Sequence, residues 1–215
     1  MDIYNFLYHL LIWAPSAILA ITLHEAAHGY VAKYFGDTTA YMLGRITLNP
    51  MKHIDPIGTV VVPLVTAVAG FPFGWAKPVP VNFNNLRHPK RDMFWVAAAG
   101  PGSNVVQALV WALVARVLFD TPANAVATYW FQVAEAGILV NVIFAILNLF
   151  PVLPLDGGRI LASLLPARIS YLYQGTERYG MIILILLIVS GILGSVMSPL
   201  VSIGVALIYS IFGLQ

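Results

Sequence analysis

Two histidines four residues apart, with a glutamate directly after the first, form the most chemically loaded stretch of this 215-residue chain: His24-Glu25-Ala26-Ala27-His28. On an α-helix, residues four apart lie one above the other on the same face, so both imidazoles can reach one metal ion. Glu25 stands about 100° round the helix from His24, where its carboxylate faces a water on the metal rather than the ion itself. In a soluble setting this is the chemistry of a zinc hydrolase. The chain has no cysteine, which excludes disulfides and thiolate ligands and leaves histidine and carboxylate as the strong ligands.

The helix that must carry this motif is made for lipid. Ile18-Leu19-Ala20-Ile21-Thr22-Leu23 runs straight into it, and the chain as a whole is 60% hydrophobic and only 9% charged. Soluble domains carry about 25% charged residues, so the composition indicates an integral membrane protein. The formal charge is +2 and the basic residues are scattered through loops, which gives nucleic-acid binding no support. Met1-Asp2-Ile3-Tyr4 lacks the basic start of a cleaved signal peptide, so the first apolar segment is expected to stay in the protein.

The expected fold is an all-α polytopic membrane protein in one domain, 1–215. It has about five to six transmembrane or re-entrant segments and a short β element on the cytoplasmic side. Core helices are placed at about 6–34, 93–119 and 128–151, and accessory helices at about 178–196 and 199–214. A sixth apolar run, 57–73, is broken by Gly58, Pro63, Gly70 and Pro72 and reads as re-entrant. The segments 40–50 and 76–83 have strand character, either to receive an extended peptide substrate or to cover the site as a small sheet.

Basic residues orient these segments. Lys33, Arg45 and Lys52 precede the 57–73 run and Lys77, Arg87, Lys90 and Arg91 follow it, so both flanks belong in the cytoplasm. The loop at 120–128 has one acid and no base, which suits the outside, and Arg159, Arg168 and Arg178 return the chain inside. His28 then lies roughly 8 Å inside the cytoplasmic end of its helix. A third ligand is needed at that depth. Asp156, which could otherwise cap a helix or pair with Arg159, is the candidate, in Asn148-Leu149-Phe150-Pro151-Val152-Leu153-Pro154-Leu155-Asp156-Gly157-Gly158-Arg159, where prolines stop a helix and glycines allow a tight turn. Two histidines and one carboxylate are the protein ligands of a catalytic zinc with one position open.

His24-Glu25-x-x-His28-Gly29 and Asn148-x-x-Pro151-x-x-Pro154-x-Asp156-Gly157 together resemble the two motifs of the site-2 proteases, peptidase family M50, which are intramembrane zinc metalloproteases. Gly44-Arg45-Ile46-Thr47-Leu48-Asn49-Pro50, Ala76-Lys77-Pro78-Val79-Pro80-Val81-Asn82 and Gly100-Pro101-Gly102-Ser103-Asn104 resemble stretches of the short bacterial and archaeal members, which lack PDZ and CBS domains. The resemblance implies one zinc on His24, His28 and Asp156, with Glu25 as general base. It also implies Asn148 as a donor to the oxyanion. The implied substrates are single-pass membrane proteins or remnant membrane peptides, cut near the cytoplasmic side of the cell membrane.

Other residues admit more than one reading. Asn148 either assists catalysis or bridges helices, as Asn141 is expected to do. Asn104, with Gly100-Pro101, either lines the site or lets helices approach closely. His53 either pins its loop or occupies the open metal position, and His88 is expected to be solvated. His9 is roughly 22 Å along the helix from His24 and cannot share the metal. A metal transporter would spread ligands along a path, whereas these cluster at one depth; a non-catalytic scaffold would have no use for Glu25.

Overall fold

The computed structural model describes residues 3–61, 76–122 and 124–214. Helix α1 (Ile3–Tyr34) carries the histidine pair. A single turn, α2 (Thr39–Met42), is followed by a 3-10 turn at Pro50–Lys52 and a π-helical turn at Pro56–Val61. A further 3-10 turn at Phe83–Asn85 leads to α3 (Pro89–Phe119) and α4 (Ala125–Asn148). The chain ends in α5 (Asp156–Leu164), α6 (Ala167–Gln174), α7 (Glu177–Val189) and α8 (Ile192–Phe212).

Among the described residues, α1, α3, α4 and α8 are long and apolar enough to cross a bilayer, and α6 with α7, bent by 66°, makes a fifth candidate. Of the apolar run 57–73, residues 62–73 lie outside the described residues.

Helix α3 is the hub: α1, α4, α5 and α8 all pack against it. The α3–α4 seam is built from small side chains. Ala108, Ala112 and Ala115 face Ala134, Ile138 and Val142, and Ile208 closes the cluster from α8. Between apolar helices in lipid, close van der Waals contact of this kind is a main source of association. Gly137 extends the same logic, because a Cβ there would overlap the indole of Trp111. Lipid-facing positions such as Val106, Val110 and Leu113 remain exposed on the other side of α3.

Three expectations need correction. First, no strand forms among the described residues, so the short β element at 40–50 and 76–83 is not found. Residues 39–42 are helical instead. Residues 76–82 are irregular, and their backbone groups bond to loops and side chains: Lys77 N–H donates to His53 O, and Lys77 O and Pro78 O accept from Arg45. Pro78 and Pro80 have no N–H to offer a ladder. Second, the last two helices divide at Ser190–Gly191 and not near Pro199. Gly191 takes φ of 75°, a left-handed conformation that ends α7, while Pro199 sits inside α8. Third, α3 begins earlier than 93, at Pro89, and α4 occupies 125–148 in place of 128–151.

Candidate metal centre

His24 and His28 lie on the face of α1 that meets α3, both almost fully buried. Each ring is held through Nδ1. His24 Nδ1–H donates to Asn104 Oδ1 at 2.6 Å, and His28 Nδ1–H donates to the carbonyl of Val96 at 2.7 Å. With the protons on Nδ1, both neutral imidazoles present Nε2 lone pairs inward, 3.1 Å apart.

Asp156 completes the set from the far part of the sequence. It is the first residue of α5, where a carboxylate also suits the helix dipole. The turn 149–155 brings α5 against α3. Gly157 and Gly158 are needed here for close approach, since a Cβ on either would overlap the backbone of 149–153. They form the first turn of α5 and do not make a separate loop after the aspartate. Asp156 Oδ2 lies 3.2 Å from His24 Nε2 and 3.3 Å from His28 Nε2. An aspartate in its usual ionised form brings lone pairs to this meeting and no proton.

Three lone-pair donors converging without a proton between them call for a cation. Ligands of a tetrahedral zinc at about 2.0–2.1 Å lie about 3.3 Å from one another, close to the separations found here. Asp156 Oδ2 is buried and has no hydrogen-bond partner of its own. These atoms fit a zinc ion. Among the described residues, they form the one cluster of three such side chains able to hold a metal.

Glu25 is half-buried beside this cluster, and its Oε2 accepts the N–H of Val79 at 2.7 Å. The irregular segment 76–82 thus touches the candidate base directly. Asn148 is not joined to the ligands by a hydrogen bond: its Nδ2 donates to Phe144 O, one turn back on α4, at 3.0 Å. His53 is buried, and its Nε2–H donates to Thr47 O at 2.9 Å, the loop-pinning arrangement. His88 is largely exposed.

One contributor escaped sequence reasoning: the carbonyl of Val96 is a backbone group and carries no signal in sequence. Gly100, weighed together with Asn104, lies against both imidazoles, so that a Cβ would overlap His28 Nε2 and His24 Nε2. It both lines the site and lets α3 approach α1 closely.

Residues 117–191 match the family model described as Peptidase family M50, a stretch that holds Asn148 and Asp156 and lies downstream of the histidine pair. The Putative zinc metalloprotease YwhC of Bacillus subtilis (strain 168) is 35% identical over 214 residues, covering 93% of this chain and 92% of that protein. The Putative zinc metalloprotease Rip2 of Mycolicibacterium smegmatis is 30% identical over 175 residues, covering 80% of this chain and 64% of that protein. No solved structure matches.

Proposed function

The chain belongs to peptidase family M50, the site-2 protease family of zinc metalloendopeptidases, and we propose that it hydrolyses peptide bonds within membrane segments near the cytoplasmic face of the cell membrane. The observation that carries this reading is the meeting of His24 Nε2, His28 Nε2 and Asp156 Oδ2 inside a frame of lipid-compatible helices. These three side chains would hold one zinc ion per chain. Bound there, zinc supplies a Lewis acid that polarises a carbonyl and lowers the pKa of a water to about 7.

The remaining work falls to the chain's own groups. Glu25 takes the proton of the attacking water and returns it to the leaving amine. Val79 N–H occupies one oxygen of that carboxylate and fixes its direction, leaving the other free for the proton. Asn148 spends one amide N–H on Phe144 O and keeps a second to donate to the substrate's carbonyl oxygen as charge develops there. A helical substrate hides its peptide bonds in i→i+4 hydrogen bonds, so the scissile region must unwind before attack. Single-pass membrane proteins and membrane peptides left by an earlier cut are the proposed substrates.

Wild type and Glu25→Gln, purified in detergent, test this together. Both are expected to hold about one zinc, and the variant is expected to lose 10²–10⁴-fold in cleavage of a membrane-spanning peptide, about the contribution of a general base. Cleavage by Glu25→Gln at the wild-type rate would refute the mechanism.

A further inference from the structure

A chain of amide hydrogen bonds leads away from the metal centre through the middle of the bundle. His24 Nδ1–H donates to Asn104 Oδ1 at 2.6 Å, and Asn104 Nδ2 donates to Asn141 Oδ1 at 2.9 Å and to Ala20 O at 3.3 Å. Asn141 Nδ2 then donates to Gly137 O, within α4, at 2.9 Å. Both asparagines are completely buried. The chain has a single direction. Turning either amide over would set acceptor against acceptor at one of these steps, at completely buried positions where such a mismatch is costly.

That direction bears on His24. A neutral imidazole carries one proton, on Nδ1 or on Nε2. With the proton on Nε2, the ring would donate to Asp156 Oδ2, only 3.2 Å away, and two of the three ligand atoms would satisfy each other. We propose that Asn104 is a positioning residue for the metal centre: its Oδ1, locked inward by Asn141 and Ala20, holds the His24 proton on Nδ1 and keeps the Nε2 lone pair available to the metal. His28 gets the same service from a backbone carbonyl, that of Val96, which no side-chain change can remove. Asn104 is therefore the point where the restraint is open to mutation. Asn141 acts at one remove, by keeping the Asn104 amide from turning.

The proposal rests on the metal-centre reading, and its test separates the two. Zinc affinity by chelator competition and the visible bands of the cobalt(II)-substituted protein are measured for wild type, Asn104→Leu, Asn104→Asp and Asn141→Leu. Thermal melting of the metal-free proteins in detergent serves as the control for folding. Asn104→Leu keeps the branched outline of the amide in a somewhat larger side chain and has no acceptor; it is expected to bind zinc 10–100-fold more weakly and to shift the cobalt bands. Asn104→Asp keeps an acceptor towards Nδ1 but sets its other oxygen against Asn141 Oδ1 and Ala20 O, so it is expected to bind zinc more tightly than Asn104→Leu and more weakly than wild type. Asn141→Leu is expected to shift the cobalt bands with a smaller loss of affinity, and it stands in if Asn104→Leu does not fold. Wild-type affinity and an unchanged cobalt spectrum in a folded Asn104→Leu, or in its stand-in, would overturn the proposal. So would a loss in Asn104→Asp as large as in Asn104→Leu. A wild type that holds no zinc at all would instead overturn the metal centre itself.

Discussion

Gly100 and His28 meet so closely that a single methyl group on the glycine would overlap the ring nitrogen facing the metal centre. Helix α3 can press its backbone against α1 only because this position has no side chain. The contact seals one side of the ligand cluster without adding a donor to it.

Gly100→Ala should accordingly damage the metal centre before it damages the fold. Overpacking of a buried contact costs about 1–3 kcal/mol, which would weaken zinc binding by roughly 10–100-fold if the rings move to make room. Zinc content after dialysis against a graded chelator series checks this. Gly102, two residues on, has open space around its Cα, so Gly102→Ala should leave zinc content unchanged.

Val79→Pro removes the N–H that Glu25 accepts, and Val79→Ala, which keeps that N–H, serves as the control for the lost buried side chain. The expected result is retained zinc with turnover reduced about tenfold, the worth of one hydrogen bond to a charged group expressed in the transition state. A fall in zinc content equal to the fall in turnover would show instead that the segment 76–82 supports the ligands.

Asp37 gives the loops an acid-sensitive tie. It is buried just after α1 and accepts from Thr39 N, Thr39 Oγ1, Asn82 N and Asn85 Nδ2. Burial alone would raise its pKa, but the bonds from Thr39, Asn82 and Asn85 outweigh that and lower it below the usual 3.8. A carboxyl lowered on folding adds stability that is present above its unfolded pKa and is lost as pH falls through its folded one. Melting temperature should therefore drop as pH falls below about 4, and Asp37→Asn should show a flatter profile over that range. Parallel profiles for the two proteins would exclude this role.

The meeting of His24, His28 and Asp156 was legible in sequence for a physical reason. A helix maps i and i+4 onto one face, so His24 and His28 could be paired without knowing what surrounds them. Asp156 was found through depth, from the basic loops that orient the segments. Asn104 was left between two readings because its partner lies 80 residues away along the chain. The strand expected at 76–83 failed for the opposite reason. Its valines suit a strand, but its prolines leave the ladder without donors, and Arg45, His53 and Glu25 bind the groups that remain. The break expected between 196 and 199 falls instead at Ser190–Gly191, where Gly191 takes the left-handed conformation, and Pro199 is tolerated inside α8.

Asp156 reaches the histidines only at the first turn of α5, after α1, α3 and α4 have all been laid down in the chain. During synthesis the histidine pair and the base are made first and the carboxylate last. A nascent chain that has inserted α1 therefore owns two ligands and a base but not a full coordination set. The order of the sequence delays completion of the three-residue cluster until α1, α3 and α4 have all been made.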